Sequence, residues 1–407
     1  MKLFIGGVLS VFLTLFALST FTRSSAAEDR ARQYFAEKEI AQGLQFVFER
    51  RLLYWSNTLV HLVFWFWVVF SGLGRRLAAG LGGSRRWFRT LLGMVLLWLI
   101  AEEALALPFG IARWAQQTSW GMTTRPLADW LAEHFLGFAV STATYFPLVV
   151  GLYVLLRWFP RTWWLWATAG GAVFAMAYAW MLPVLIAPLF NTFTPLRETR
   201  WAELGAIVEA LTARAGVHVN DILVVDASRQ GSHTNAYFTG FGSTRQIVLY
   251  DTLLEKHTPA EIESILAHEL GHWQHNHIVK GIALGTLAVL VGFFVLGRIL
   301  RGATKRPPFL LESPADPAGL PLMMLAVLLG SWLAMPVENA ISRHFERQAD
   351  EASLELAGQA DAFIQAEIKL ARENKSNVAP TPFNVWLFAS HPPTIERIAM
   401  AERFKMK

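Results

Sequence analysis

Seven long apolar runs frame everything else in this sequence. They lie near Leu3–Leu18, Ser56–Leu73, Leu91–Ile111, Leu136–Leu156, Trp163–Pro188, Val279–Leu300 and Leu320–Met335. A hydrocarbon layer of about 30 Å takes roughly 20 apolar residues as a helix, and a helix satisfies its own backbone there. Composition agrees: 54% of residues are hydrophobic and 16% charged, where soluble domains carry about a quarter charged. Many of the 17 Trp flank apolar runs, as Trp158, Trp163, Trp164 and Trp166 do, which suits an amphipathic ring at headgroup level. With no cysteine, disulfides and thiolate ligands are excluded, so a metal site must use nitrogen and oxygen. The net charge of +5 is accounted for by arginines flanking the membrane. No basic tract interleaved with aromatics points to nucleic acid.

In chain order, Leu3–Leu18 behind Lys2 reads as an uncleaved first helix, although Ser25-Ala26-Ala27 resembles a signal-peptide cleavage site. The polar stretch Glu28–Arg51 reads as helical. An arginine-rich loop with Arg75, Arg76, Arg85, Arg86 and Arg89 follows the second run. The third run carries Glu102 and Glu103. Ionisable groups at membrane depth are expensive unless they meet water or a partner. They imply either a hydrated interior or a tilted helix ending at the headgroups. Pro183 and Pro188 should kink or end the fifth span.

The polar block Asn191–Ile278 is then expected to hold a helix over Glu198–Ala215 and a strand over Ile222–Asp226. A hairpin pairs Thr234–Phe238 with Gln246–Tyr250 around Gly240-Phe241-Gly242. A polar loop covers Lys305–Gly319. Soluble helices resume over Glu346–Asn374, with a loop through Pro380–Pro393 and a last helix to Lys405.

Inside that polar block stands His268-Glu269-Leu270-Gly271-His272. On a helix, residues four apart share a face, so both imidazoles can reach one ion. Glu269 then points at the open coordination position, where it could take a proton from a water. Ile262, Ile265, Leu266 and Leu270 recur at helical spacing, and Pro259 and Glu261 suit a helix start. The best third donor is Glu346, with Asp350 four residues on; one carboxylate can ligate while the other fixes a histidine tautomer. His275 and His277 compete as donors, but sit on other faces of the helix or past its end.

Leu266–Trp273 followed by Asn276-His277 resembles the zinc helix of the type I CAAX prenyl endopeptidases, which are integral-membrane gluzincins. Three further stretches match that family in order: Ala187–Leu196, His233–Phe238, and Ser390–Pro393 with Glu396-Arg397. The resemblance implies a mainly α fold. About seven transmembrane helices form a barrel around a large chamber, with a small α+β zincin-like catalytic domain. It implies one zinc per chain, held by His268, His272 and Glu346, with Asp350 behind a ligand and Glu269 as base. His391 and Arg397 match family residues near the zinc and are expected to stabilise the oxyanion of a tetrahedral intermediate. Thr234–Phe238 is expected to be an edge strand that pairs with an extended substrate, with Asn235, Ala236 and Tyr237 as its substrate-binding residues.

The chain thus divides into membrane helices over 1–190, the first catalytic part over 191–278, two further spans over 279–336 and a second catalytic part over 337–407. The expected activity is hydrolysis of peptide bonds near the C-terminus of substrates, whether prenylated CAAX proteins or unprenylated ones, by a monomer in the bilayer. A heat-shock-type quality-control metalloprotease is the alternative. A non-proteolytic zinc-binding channel or transporter is the third reading, and the intact Glu269 argues against it. The family orientation puts the catalytic domain on the cytosolic side, in a bacterial inner membrane or an endoplasmic-reticulum-type membrane.

Overall fold

The computed structural model describes residues 2–217, 219–239 and 245–406. The chain opens with α1 (Lys2–Phe21), α2 (Ser25–Ala31), α3 (Glu37–Phe70), α4 (Leu73–Leu81), α5 (Trp87–Ser119), α6 (Leu127–Trp158) and α7 (Trp163–Met181). After a polar domain come α11 (His277–Ala303) and α12 (Leu320–Ala357). Among the described residues, seven helices are long and apolar enough to cross a membrane: α1, α3, α5, α6, α7, α11 and α12. Their number and order are those expected.

Six of these helices close a ring. Helix α3 packs on α5, α5 on α6, α6 on α7, α7 on α11, α11 on α12, and α12 back on α3. In the most apolar stretch of each, 39% of residues are buried in α3, but 11% in α6 and none in α7 or α11. Helices that meet neighbours only along their flanks and bury neither face surround a hollow. This is the expected chamber. At the α3–α5 seam Trp65 and Trp98 meet edge-on with ring centroids 5.3 Å apart.

At that seam Glu102 and Glu103 find partners on opposite sides. Glu102 accepts from Trp65 Nε1 and lies 2.9 Å from His61 Nε2 on α3. Glu103 lies 2.6 Å from His134 Nε2 on α6. Neighbouring positions on one helix point about 100° apart, so adjacent acids can tie α5 to both flanking helices. Pro183 and Pro188 end α7 as expected, in a π-turn over Leu182–Ile186 and a 3₁₀ turn over Ala187–Leu189.

The polar domain holds a four-stranded sheet. Its strands are β1 (Phe193–Pro195), β2 (Asp221–Val225), β3 (Ala236–Thr239) and β4 (Gln246–Tyr250), in the order β1-β2-β4-β3. β1 and β3 run antiparallel to their neighbours, and β2 is parallel to β4. β3 is therefore an edge. The turn expected at Gly240–Gly242 lies outside the described residues. Helices α8 (Gly205–Ala215), α9 (Asp251–Lys256) and α10 (Pro259–Gln274) complete this part, with Ile247, Leu249, Leu253, Leu266 and Leu270 in its core.

Three local expectations need correction, and a fourth, the helical stretch Glu28–Arg51, holds in two pieces. Helix α8 begins at Gly205, not Glu198, because Thr199 Oγ1 accepts from the N–H of Trp201 at 3.2 Å and holds a tighter turn. The stretch Glu28–Arg51 is α2 plus the start of α3, which runs unbroken through the second span. Glu346 does not begin a new helix: it lies within α12, a 38-residue helix that includes the seventh span and stops where Gly358 takes φ +64°. α13 (Ala360–Glu373) follows. The segment expected to be a loop contains α14 (Pro382–Phe388), capped by Thr381 Oγ1 accepting from Asn384 N–H at 3.2 Å. α15 (Thr394–Lys405) ends the fold.

Candidate metal centre

Helix α10 starts where its sequence requires. Thr258 Oγ1 accepts from the N–H of Glu261, the Glu261 carboxylate accepts from Thr258 N–H at 2.9 Å, and Pro259 sits at the first helical position. Ile262, Leu266 and Leu270 bury one stripe against the sheet. The adjoining face meets α12 at unusually short range. A Cβ on Gly271 would lie 2.8 Å from Ala352 Cβ and 2.9 Å from Ala349 Cα. The glycine inside the motif is thus what lets the two helices approach.

That approach brings His268, His272 and Glu346 together. The Nε2 atoms of His268 and His272 lie 3.2 Å apart. Glu346 Oε2 is 3.3 Å from His268 Nε2, and Oε1 is 3.5 Å from His272 Nε2. Donors about 2.0–2.1 Å from a tetrahedral zinc stand about 3.3 Å from one another. The three atoms therefore fit a tetrahedral cation. Glu346 Oε2 is buried, and no hydrogen bond of acceptable geometry reaches it. A buried oxygen without a donor is costly, and a cation relieves it. The donor set, two imidazoles and a carboxylate, suits zinc in a hydrolytic site.

Tautomers are set from behind. His268 Nδ1–H donates to Asp350 Oδ1 at 2.8 Å, leaving Nε2 with its lone pair towards the other ligands. Asp350 is fully buried and held by Arg397, whose Nε donates to Oδ2 at 2.9 Å and whose Nη2 donates to Oδ1. Arg397 Nη1 donates to Glu367 Oε2 at 2.7 Å. The guanidinium thus approaches His268 at its Nδ1 edge, away from the ligand atoms. Arg397 also lines the cavity that His391 and Asn235 line.

A second relay serves the other histidine. His277 Nε2–H donates to Gln348 Oε1 at 3.0 Å, so its Nδ1 keeps a lone pair. That nitrogen accepts from His272 Nδ1–H at 2.9 Å, which leaves His272 Nε2 free to ligate. Asn276 makes this possible by turning between α10 and α11 with φ +53°. His277 and its imidazole neighbour His275 stay outside the donor triad, as expected. The roles of His277, Gln348 and Glu367 behind the ligands were not anticipated from sequence spacing.

The electrostatics fit this arrangement. Burial, then the charge on His268, pushes His272 down to about 4, so it is neutral at pH 7. Burial opposes charge on His268, but Asp350 and Glu346 on its two nitrogens hold it up to about 10. A cation between the same groups would supply that positive charge in place of the proton. Glu269 is half-buried, and burial pushes it up to about 7 against the pull of His268 and the Phe238 N–H.

The remaining candidates surround these groups. Asn235 O accepts from Tyr250 N–H at 3.1 Å, which sets the alternation along β3: Ala236 and Phe238 direct their backbone groups to the open edge. The Phe238 N–H faces Glu269 and helps to hold its pKa down. Ala236 thus offers its N–H and C=O to an incoming strand, and Asn235 and Tyr237 line the adjoining cavity. His391 lies in the loop before α15, its Nε2 3.2 Å from Glu346 Oε2 and its side chain 59% exposed.

Comparison with known proteins places this geometry. Residues 198–405 match the model of peptidase family M48, and residues 50–192 match that of the CAAX prenyl protease N-terminal region with five membrane helices. An uncharacterized metalloprotease, YhfN, of Bacillus subtilis is 28% identical over 374 residues, covering 91% of this chain and 87% of its own. The CAAX prenyl protease 1 homolog of Oryza sativa subsp. japonica is 29% identical over 386 residues, with 92% and 87% covered. The crystal structure of S. mikatae Ste24p superposes with a TM-score of 0.80 at 23% identity and 97% coverage of both chains, a likeness of fold. Since the first family model spans just over half of the 407 residues and encloses every donor of the His-His-Glu group, the chain belongs to peptidase family M48 and is a membrane metalloendopeptidase.

Proposed function

We propose that the metal is one zinc ion per chain, held by His268, His272 and Glu346, and that the centre cleaves peptide bonds near the C-terminus of substrates entering from the chamber. The observation that carries this reading is the set of three donor atoms at 3.2, 3.3 and 3.5 Å beside a half-buried glutamate. When bound there, zinc acts as a Lewis acid on a carbonyl and acidifies a water. The protein supplies the rest. Substrate lies along β3, its backbone paired with Ala236 and one amide oriented by Asn235, with Tyr237 beside it. Glu269 takes the proton of the attacking water and passes it to the leaving amine. His391 Nε2–H donates to the developing oxyanion. Asp350, held by Arg397, keeps His268 in the ligating tautomer.

The catalytic unit is split in sequence, 191–278 and 337–407, with the spans of 279–336 between; residues 1–190 supply the other membrane helices. Relatives are named as CAAX prenyl proteases, so prenylated C-terminal peptides are the substrates to try first. We place the catalytic domain on the cytosolic side of the membrane and take the working unit as a monomer. The test pairs a farnesylated CAAX peptide with its unprenylated counterpart, with and without a chelator. Chelator-sensitive release of the last three residues from the farnesylated peptide is expected. Equal cleavage of both peptides assigns a broader proteolytic role, and no cleavage of either overturns the reading.

A further inference from the structure

Helix α3 turns one face inward at the level of the centre: Val47, Arg50, Arg51 and Tyr54 recur at i, i+3, i+4 and i+7 and line a cavity of about 550 Å³. His391 and Asn235 line the same cavity, and Arg50 also reaches the adjoining cavity of about 840 Å³ where Lys375 stands. The volumes are those of small-ligand sites. The charges in the wall do not balance. Glu367 is committed to Arg397 at 2.7 Å, and Glu133 to Arg125 at 2.5 Å. Glu49, the acid nearest in sequence, is bound by Gln45 at 2.9 Å, Gln116 at 3.3 Å and Trp120 at 2.7 Å.

Among the described residues, Arg50, Arg51 and Lys375 make no ion pair. Arg51 is nonetheless held in place. Its Nη1 donates to Ser19 O at 2.6 Å, and its guanidinium carbon lies 5.7 Å from the Phe388 ring centroid. A positioned guanidinium in the wall of a cavity is a site for an oxyanion, which such a group grips with paired N–H donors.

We propose that Arg50 and Arg51 bind the terminal carboxylate of the substrate. The inference rests on the reading of this cavity as the substrate chamber and adds how that chamber reads its clients. The edge strand offers backbone groups alone, and so takes a chain without regard to sequence. A terminal carboxylate has the same property, since every chain ends in one. An anchor at the end and a centre at fixed distance from it together determine how many residues are released.

The test uses Glu269→Gln protein loaded with zinc and one octapeptide in three forms: the free acid, the C-terminal amide, and an amide ending in glutamate. Equilibrium Kd values are read for each, so hydrolysis plays no part. The free acid is expected to bind about tenfold to a hundredfold more tightly than the amide, the range for a charge-assisted contact. In Arg50→Gln/Arg51→Gln the ratio should fall below about threefold, and Arg50→Lys should restore part of the loss seen in Arg50→Gln. If the double variant fails to fold, Arg50→Gln alone serves, because that side chain holds no protein partner. Equal Kd values for acid and amide overturn the proposal, as does a preference that survives loss of both arginines. Tight binding of the glutamate-ending amide would instead assign the pair to an acidic side chain. Preferential binding of the acid, together with wild-type protein that cleaves neither the farnesylated nor the unprenylated peptide, would leave this inference standing and remove the proteolytic one.

Discussion

At the scale of single residues, the centre depends on which nitrogen of each histidine carries its proton. Replacing Glu269 by Gln should leave metal content at one ion per chain while lowering kcat by several orders of magnitude, because the ligands stay and the proton acceptor goes. Metal analysis beside peptide hydrolysis checks it, and activity near wild type would remove Glu269 from the mechanism. His277 offers a sharper separation of roles. Its ring stacks on Phe345 with centroids 4.3 Å apart and planes 8° from parallel, so His277→Phe keeps the packing and removes both the acceptor for His272 Nδ1–H and the donor to Gln348. Metal affinity, read by chelator competition, should fall roughly tenfold to a hundredfold, the usual effect of losing a group behind a ligand. Unchanged affinity would make His277 a packing residue. The spacing of His268, Glu269 and His272 was legible because helical periodicity alone puts the two imidazoles on one face. His277 was not, since five residues along a straight helix lead to another face. Only the turn at Asn276 brings it back.

At the scale of elements, the seven spans were legible from hydropathy because hydrocarbon imposes length on any helix that crosses it. The junctions were less so. Polarity changes at the end of the seventh span, but α12 continues past Pro336 as one helix and carries Glu346 and Asp350 beyond the span. A loop was expected over Pro380–Pro393, and the cap at Thr381 makes a helix of its middle. The α10–α12 contact was legible in neither helix alone, since it lies in what the glycine lacks. Gly271→Ala should lower thermal stability by about 1–3 kcal/mol and loosen the metal with it, because the new methyl meets the backbone of Ala349 at 2.9 Å. Thr258→Ala removes the cap of the same helix, and should cost about 1 kcal/mol with little change in metal content. Thermal unfolding and metal analysis on the two variants separate helix approach from helix stability. Equal metal loss in both would deny the close contact its special part.

At the scale of the whole molecule, the order of spans fixes which loops share a membrane face. Two spans separate the halves of the catalytic unit, so both emerge together, and the packing agrees. On that face α2 packs on α15, and Thr123 Oγ1 in the α5–α6 loop donates to Gln230 O at 2.7 Å. On the other, α4 packs against the turn Pro317–Gly319. Which face is cytosolic turns on basic residues near the span ends. Arg23, Arg30, Arg32, Lys38, Arg50 and Arg51 lie towards the catalytic face. Arg75, Arg76, Arg85, Arg86, Arg89, Arg298, Arg301, Lys305 and Arg306 lie towards the other. Local charge therefore does not favour a cytosolic catalytic face, which stands as the proposal made above. If Arg50 and Arg51 serve the chamber, they drop out of that count, and the sequence bias alone points the opposite way. The experiment is then decisive between two physical causes. A green fluorescent reporter fused after Lys407 should fluoresce, and alkaline phosphatase at the same position should be inactive. An active phosphatase would mean that flanking charge, not family topology, sets the orientation, and that the centre meets its peptides outside the cytosol.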